Sequence, residues 1–257
     1  MSNDTNQAAG IEINEDKQEN SIVRFLFEEH GVRGEIVHIN EPVHKLLENI
    51  THYPLCIKSL MLELASAAVL IAATLKANGT VTVQIQGGEG SKAVNFAFIN
   101  IDKNLNFYGN VHLDKINDAS FLDLVGKGGI LVISAFPEGG NRYQGIVALD
   151  KPTLSQSIEA YFKESEQLDT SMTLYSDPVA CKSGGLMLQI IPEIEKNHES
   201  LEHLSTLSST LTADELFDLS LNESLRRLYW NDKIRVFDPT KVAFKCICSV
   251  DLIMQAV

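Results

Sequence analysis

Seven short alternating runs dominate the middle of this chain and set the kind of fold it can reach. They cover residues 81–86, 94–101, 105–113, 130–136, 143–149, 172–175 and 186–191. A period of two places successive side chains on opposite faces of an extended segment, the mark of a β-strand. Turn residues separate several of the runs: Asn104 lies between two of them, and Pro-Glu-Gly-Gly-Asn at 137–141 between two others. Two earlier runs, 22–27 and 32–39, flank a turn at His30 and Gly31. Strands joined as hairpins, with few helices between them, predict an α+β fold around an antiparallel sheet.

The helical expectations are fewer. Residues 42–49 form one helix. Residues 57–77 form a second, rich in Leu and Ala, with Gly79 just beyond its end. The apolar stretch 60–75 within it contains Glu63 and several small residues. It is too short to span a bilayer and reads as a buried helix. Thr153 caps a further helix running to about Gln167. From residue 193 to 231 the pattern turns wholly helical, with helices at 199–211, 212–218 and 222–230, each opening near a capping residue or an acidic first turn. Residues 234–237 and 242–244 then predict a strand–turn–strand through Asp238-Pro239. The domain plan is a disordered tail (1–20), an α+β core (21–192), a separate helical linker (193–231) and a terminal segment (232–257).

A chain of 257 residues can bury a full core and carry an appendage. Its formal net charge of −13 argues against nucleic acid and anionic membrane surfaces as partners, because phosphates repel such a surface. Residues 1–20 are polar and acidic, without the apolar centre of a secretory signal. That predicts a cytoplasmic, reducing setting in which the cysteines, Cys56, Cys181, Cys246 and Cys248, form no stable structural disulfides.

Several motifs invite a chemical reading. Gln86-Gly-Gly-Glu-Gly-Ser-Lys92 offers glycines, a serine and a lysine to a phosphate, but it lies between two strand runs and lacks the spacing of a phosphate-binding loop. A hairpin loop is the stronger reading; an enzyme holding an anionic ligand on Gly87, Gly88 and Gly90 is the alternative. Gly126, Gly128 and Gly129 read as a turn before a strand. His198 and His203 sit five residues apart, so on a helix their imidazoles diverge by about 140° and do not make a metalloprotease pair. His30, His38, His44, His52 and His112 are scattered. Arg226, Arg227 and Tyr229 read as surface and packing residues, and Cys56 as a buried apolar one. No Ser–His–Asp or paired-carboxylate signature stands out, so no catalytic residue is named.

Cys246 and Cys248 stand as Cys-Ile-Cys. On an extended segment they point to one side, where they would supply half of a zinc site, close a small strained disulfide, or be an incidental pair. Here a resemblance enters. Val32-Arg-Gly-Glu35, Ala72-Ala-Thr-Leu-Lys76, Thr82-Val-Gln-Ile-Gln-Gly87, Arg142-Tyr-Gln-Gly-Ile-Val147, Ser165-Glu-Gln-Leu168, Gly184-Gly-Leu-Met-Leu-Gln189 and Phe244-Lys-Cys-Ile-Cys-Ser249 occur in that order. Together they resemble the redox-regulated holdase chaperones of the 33 kDa heat-shock protein family, over residues 21–249.

The resemblance implies a client-binding α+β domain, a helical linker and a C-terminal zinc domain. In the family four cysteines, Cys-x-Cys and a distal Cys-x-x-Cys, hold zinc in the inactive state. Oxidation forms two disulfides, releases the metal and unfolds the linker; apolar surface then binds unfolded proteins without ATP, and dimers form. Cys246 and Cys248 match the proximal pair as partial zinc ligands and as the redox disulfide. The distal pair does not occur before Val257, so weak or absent zinc and impaired redox gating are expected of the 232–257 segment as it stands. Unfolded clients and a second copy of the chain are the expected partners. The client-binding residues are not singled out by the sequence. A dimeric interaction module without holdase activity is a further alternative.

Overall fold

The structure is a computed structural model and describes residues 18–75, 79–90, 94–113, 119–192 and 197–245. Most of the expected tail, the first residues of the linker, Ser91 and Lys92, and both Cys246 and Cys248 lie outside these residues. The first half of the chain forms β1 (Ser21–Phe27), β2 (Val32–Ile39), α1 (Glu41–Glu48), α2 (Leu55–Leu75), β3 (Gly79–Gln86), β4 (Phe96–Ile101), β5 (Asn106–His112) and α3 (Phe121–Val125). Then come β6 (Ile130–Pro137), β7 (Tyr143–Ala148), α4 (Leu154–Tyr161), β8 (Thr170–Asp177) and β9 (Lys182–Ile190). The remainder holds α5 (Asn197–Ser208), α6 (Ala213–Asp218), α7 (Leu221–Leu228), β10 (Ile234–Val236), β11 (Thr240–Lys241) and β12 (Ala243–Phe244).

The expected α+β character holds, but the strands divide into two sheets rather than one. The first has the order β10-β1-β2-β9-β8, with β11 also on β1. The second has the order β12-β5-β4-β3-β6-β7. Every pairing is antiparallel except β12 on β5.

The cause of the division is α2. It packs on β2, β8 and β9 of the first sheet and on β3, β4 and β5 of the second. A helix covered on both sides must be apolar all round, and Leu60, Met61, Leu64, Ala65, Val69 and Ile71 are all buried. By length and composition α2 would also cross a membrane, yet here it is largely buried in the core. Its half-buried carboxyl, Glu63, accepts a hydrogen bond from Ser176 Oγ at 3.1 Å, and partial burial pushes its pKa up.

The first sheet is covered on its other face too. Along β1 the alternation sends Ile22 to the α2 side and Val23, Phe25 and Phe27 to the opposite side, where α5, α6 and α7 lie. β2 and β9 are therefore buried at nearly every position. Gly34 answers one close approach: a Cβ there would fall 2.2 Å from the Phe25 ring.

The expected helix from Thr153 to Gln167 is α4 followed by a π-helical turn, Phe162–Glu166. Gln167 ends it in the left-handed region, at φ 58°. Thr153 caps it by accepting from Gln156 N. The helical stretch after β9 packs on the first sheet. The chain then returns: β10 and β11 pair with β1, and β12 adds to β5, so the short terminal strands join both sheets.

Candidate functional site: a covered apolar sheet face

The face of the first sheet opposite α2 is built from β1, β2 and β9. Val23, Phe25 and Phe27, with Val32, Ile36, Leu186, Leu188 and Ile190, form a continuous apolar surface. The Phe25 and Phe27 rings meet edge to face, 5.6 Å between centroids. Over them lie Leu204 of α5, Leu216 of α6, and Leu221 and Leu225 of α7, all buried, with Tyr229 just beyond.

Each helix of the cover has a local reason to start and a face to bury. At α6, Thr212 Oγ1 accepts from Glu215 N while the Glu215 carboxylate accepts from Thr212 N, a reciprocal cap. At α7, Ser220 Oγ accepts from Glu223 N. Outward on α7, Arg226 and Arg227 donate to the Glu223 carboxylate and hold its pKa down to about 2. These charges sit on the wet side, as expected of surface residues. Tyr229 is inside: its ring packs on Phe25 and Phe27, its hydroxyl meets Ser208 Oγ at 2.8 Å, and burial pushes its phenol up.

Among the described residues, polar ties across the seam between cover and sheet run through side chains. His198 Nδ1 lies 2.6 Å from Asp169 Oδ2 at the start of α5. His30, in the β1–β2 turn, reaches Asp232 Oδ1 at 3.2 Å and Ser200 Oγ at 3.2 Å. Tyr175 OH donates to Leu211 O, and Lys182 lies 3.7 Å from Asp218. His38 is buried with its ring 5.5 Å from that of Phe217. A cleft of about 650 Å³ runs along the seam past Lys163, Asp169, His198 and Glu202. The cover is thus attached through packing and side chains, whereas the sheet beneath is held by backbone ladders.

The sequence-derived candidates distribute as follows. The pair Cys246 and Cys248 lies outside the described residues. Cys56 opens α2 half-buried, and Cys181 sits in the β8–β9 turn at φ 55°; neither is in a disulfide. Among the described residues no group of three or more His, Cys, Asp or Glu could hold a metal ion.

In the glycine loop, Gly88 N donates to Val125 O at 2.8 Å and Glu89 N to Lys127 O at 2.9 Å. A Cβ at Gly88 would lie 2.1 Å from Lys127 O. These amides are committed to carbonyls and do not form a phosphate cradle.

Sequence reasoning missed the covered face. Its signal is the run Leu186-Met-Leu-Gln-Ile-Ile191, nearly continuous in apolar residues, which marks a strand buried on both faces.

Comparison with known proteins places this arrangement. The sequence model of the family described as "Hsp33 protein" matches residues 20–257. A "33 kDa chaperonin" of Shewanella sp. (strain W3-18-1) is 42% identical over 228 residues, covering 88% of this chain and 77% of that protein. One of Yersinia pestis (strain Pestoides F) is 40% identical over 228 residues, with the same coverage. The crystal structure of a 33 kDa chaperonin from Thermotoga maritima superposes with a TM-score of 0.74 at 17% identity, covering 92% of this chain and 84% of that one, a likeness of fold.

Proposed function

Because this chain belongs to the Hsp33 family, we propose that it is an ATP-independent holdase of the cytoplasm, a binding protein rather than an enzyme. Its client site is the face of the first sheet that α5, α6 and α7 cover. One observation carries the reading: a continuous apolar surface, with Phe25 and Phe27 at its centre, lies under helices that pack on it and are tied to it through side chains. Exposed apolar surface of that extent marks an interaction site. An unfolded chain is a partner whose own apolar side chains would fill it. The Gly88 and Glu89 amides, paired with carbonyls, give no support to the alternative of an enzyme with an anionic ligand.

Docked and undocked covers form a two-state equilibrium, and any effector acts only through a difference in its effect on the two states. In the family reading that effector is the zinc domain beyond the cover. These 257 residues carry Cys246 and Cys248 of its ligands; taken alone, they are expected to dock the cover weakly and to be gated poorly by oxidation.

The test is light scattering of a thermally unfolding client under reducing conditions, with the wild type and Leu225→Asp. The variant places a charge under α7 and drives the cover off the sheet. It is expected to suppress aggregation more strongly than the wild type while the sheet core stays folded by circular dichroism. A variant no better than the wild type, or a wild type inactive at every redox state, would overturn the reading.

A further inference from the structure

The turn between β1 and β2 meets the covering helices near both of their ends. We propose that one residue of this turn, His30, is the clasp of the cover: its ring joins α5 to the segment just beyond α7, so that neither end comes away without loosening the other. The proposal rests on the client-site reading above and adds what holds that site shut.

His30 Nδ1 lies 3.2 Å from Ser200 Oγ, near the start of α5. Its Nε2 lies 3.2 Å from Asp232 Oδ1, beyond α7. A carboxylate only accepts, so the ring carries a proton on Nε2 and donates it to Asp232. Nδ1 of the neutral ring is then bare and accepts from the Ser200 hydroxyl. Two contacts made by one rigid ring tie the positions of Ser200 and Asp232 to each other as well as to the sheet.

The ring is itself held in place. His30 N and Gly31 N both donate to Phe27 O, and Gly31 takes φ 61°, which closes the turn. The imidazole stands edge-on to the Phe27 ring, 6.1 Å between centroids, and Phe27 belongs to the covered apolar face. The same turn receives the chain as it leaves β9, where Ile191 N donates to Gly31 O at 2.8 Å.

Burial sets His30 apart from its neighbours. Glu28 pairs with Arg235 and Glu29 with Lys233, but all four of those side chains are more than half exposed. Pairs of that kind contribute little. The side chains of His30 and Asp232 are 30% and 11% exposed. Removing the imidazole takes this donor from a mostly buried carboxylate, which is the costly way to lose a hydrogen bond.

Hydrogen exchange followed by mass spectrometry on the full chain, without client, tests the clasp. Ser200→Ala, on α5, is expected to speed exchange in α7 as well as in α5, about tenfold. Asp232→Ala, beyond α7, is expected to speed it in α5 by a similar factor. A purely local role for either contact would not carry across to the other helix. In a His30→Ala background neither substitution is expected to add more, because both contacts share the one ring. Glu29→Ala, on the same turn, is expected to leave both helices as in the wild type. Protection of β3 and β6 checks that the core stays folded. The proposal is overturned if each single variant loosens only its own end, if both effects persist in the His30→Ala background, or if Glu29→Ala loosens the helices as much as His30→Ala. Should His30→Ala not fold, the cross-effects of Ser200→Ala and Asp232→Ala decide alone. Coupled exchange in a protein that protects no client would remove the client reading and leave the clasp standing.

Discussion

The ring of Tyr229 stands edge-on to that of Phe27, 4.8 Å between centroids and 86° between planes. The contact joins the end of the helical cover to the strand that opens the fold. Tyr229→Ala removes the ring and leaves a void beside two phenylalanines, at a cost of about 3–5 kcal/mol to docking. Tyr229→Phe keeps the ring and removes only the hydroxyl contact with Ser208, which still donates to Leu204 O; the cost is about 1 kcal/mol. Hydrogen exchange of the amides in α5 and α7 is expected to accelerate strongly in the first variant and slightly in the second. Equal protection in both would remove Tyr229 from the docking contact.

Glu63 gives the protein a pH dependence of definite sign. Partial burial raises its pKa in the folded state, so folding favours the protonated carboxyl. Its stabilising contribution is present below the unfolded pKa and is lost as pH rises through the raised folded value. At pH 7 the half-buried charge costs stability. Glu63→Gln is therefore expected to raise the melting temperature at pH 7 and to have little effect near pH 4. A variant less stable than the wild type at pH 7 would show that the ionised form is the favoured one.

Limited proteolysis is expected to cut within residues 193–231 before it cuts the two-sheet core. Side chains hold the cover, while backbone ladders hold the sheets. Fragment masses over a time course would show the order; simultaneous loss of both regions would mean that cover and core open as one unit.

Oxidant is expected to change the activity of these 257 residues little. The possible redox change at Cys246 and Cys248 closes a very small loop and constrains the chain weakly. Client protection in dithiothreitol and in peroxide is expected to agree, Cys248→Ser to match the wild type, and metal analysis after mild chelation to find little zinc. A switch from no activity to strong activity with peroxide, abolished by Cys248→Ser, would make the proximal pair a sufficient sensor. One zinc per two chains would point to a site shared between protomers.

Much of the element order was legible because its signals are local. The β1–β2 turn has Gly31 at φ 61°, Gly139 takes φ 74° in the β6–β7 turn, and Thr153 and Thr212 cap the helices they precede. The division into two sheets was not legible. Alternation tells which way a side chain points, never which sheet its strand joins. Val32 meets Ile190 across more than half the chain, and nothing near either residue announces it. The π-helical turn after Tyr161 was equally silent. The covered face was half visible in the apolar run of β9, but what covers it depends on packing between distant segments. The cysteine pair carried the resemblance to a redox switch and lies outside the described residues.

Ile190, Val32, Phe27 and Ile234 line up in one row of the first sheet, so the chain leaves β9 and re-enters at β10 at the same end of the strands. Residues 191–233 are thus anchored at both ends, three strand spacings or about 14 Å apart. A segment fastened this way lifts like a buckled strap. It stays at an effective concentration in the millimolar range over its own seat, and loop-closure entropy grows only slowly with its length. Recovery after release of a bound chain is then a first-order event. Each molecule resets itself at a rate that does not depend on how many others are present.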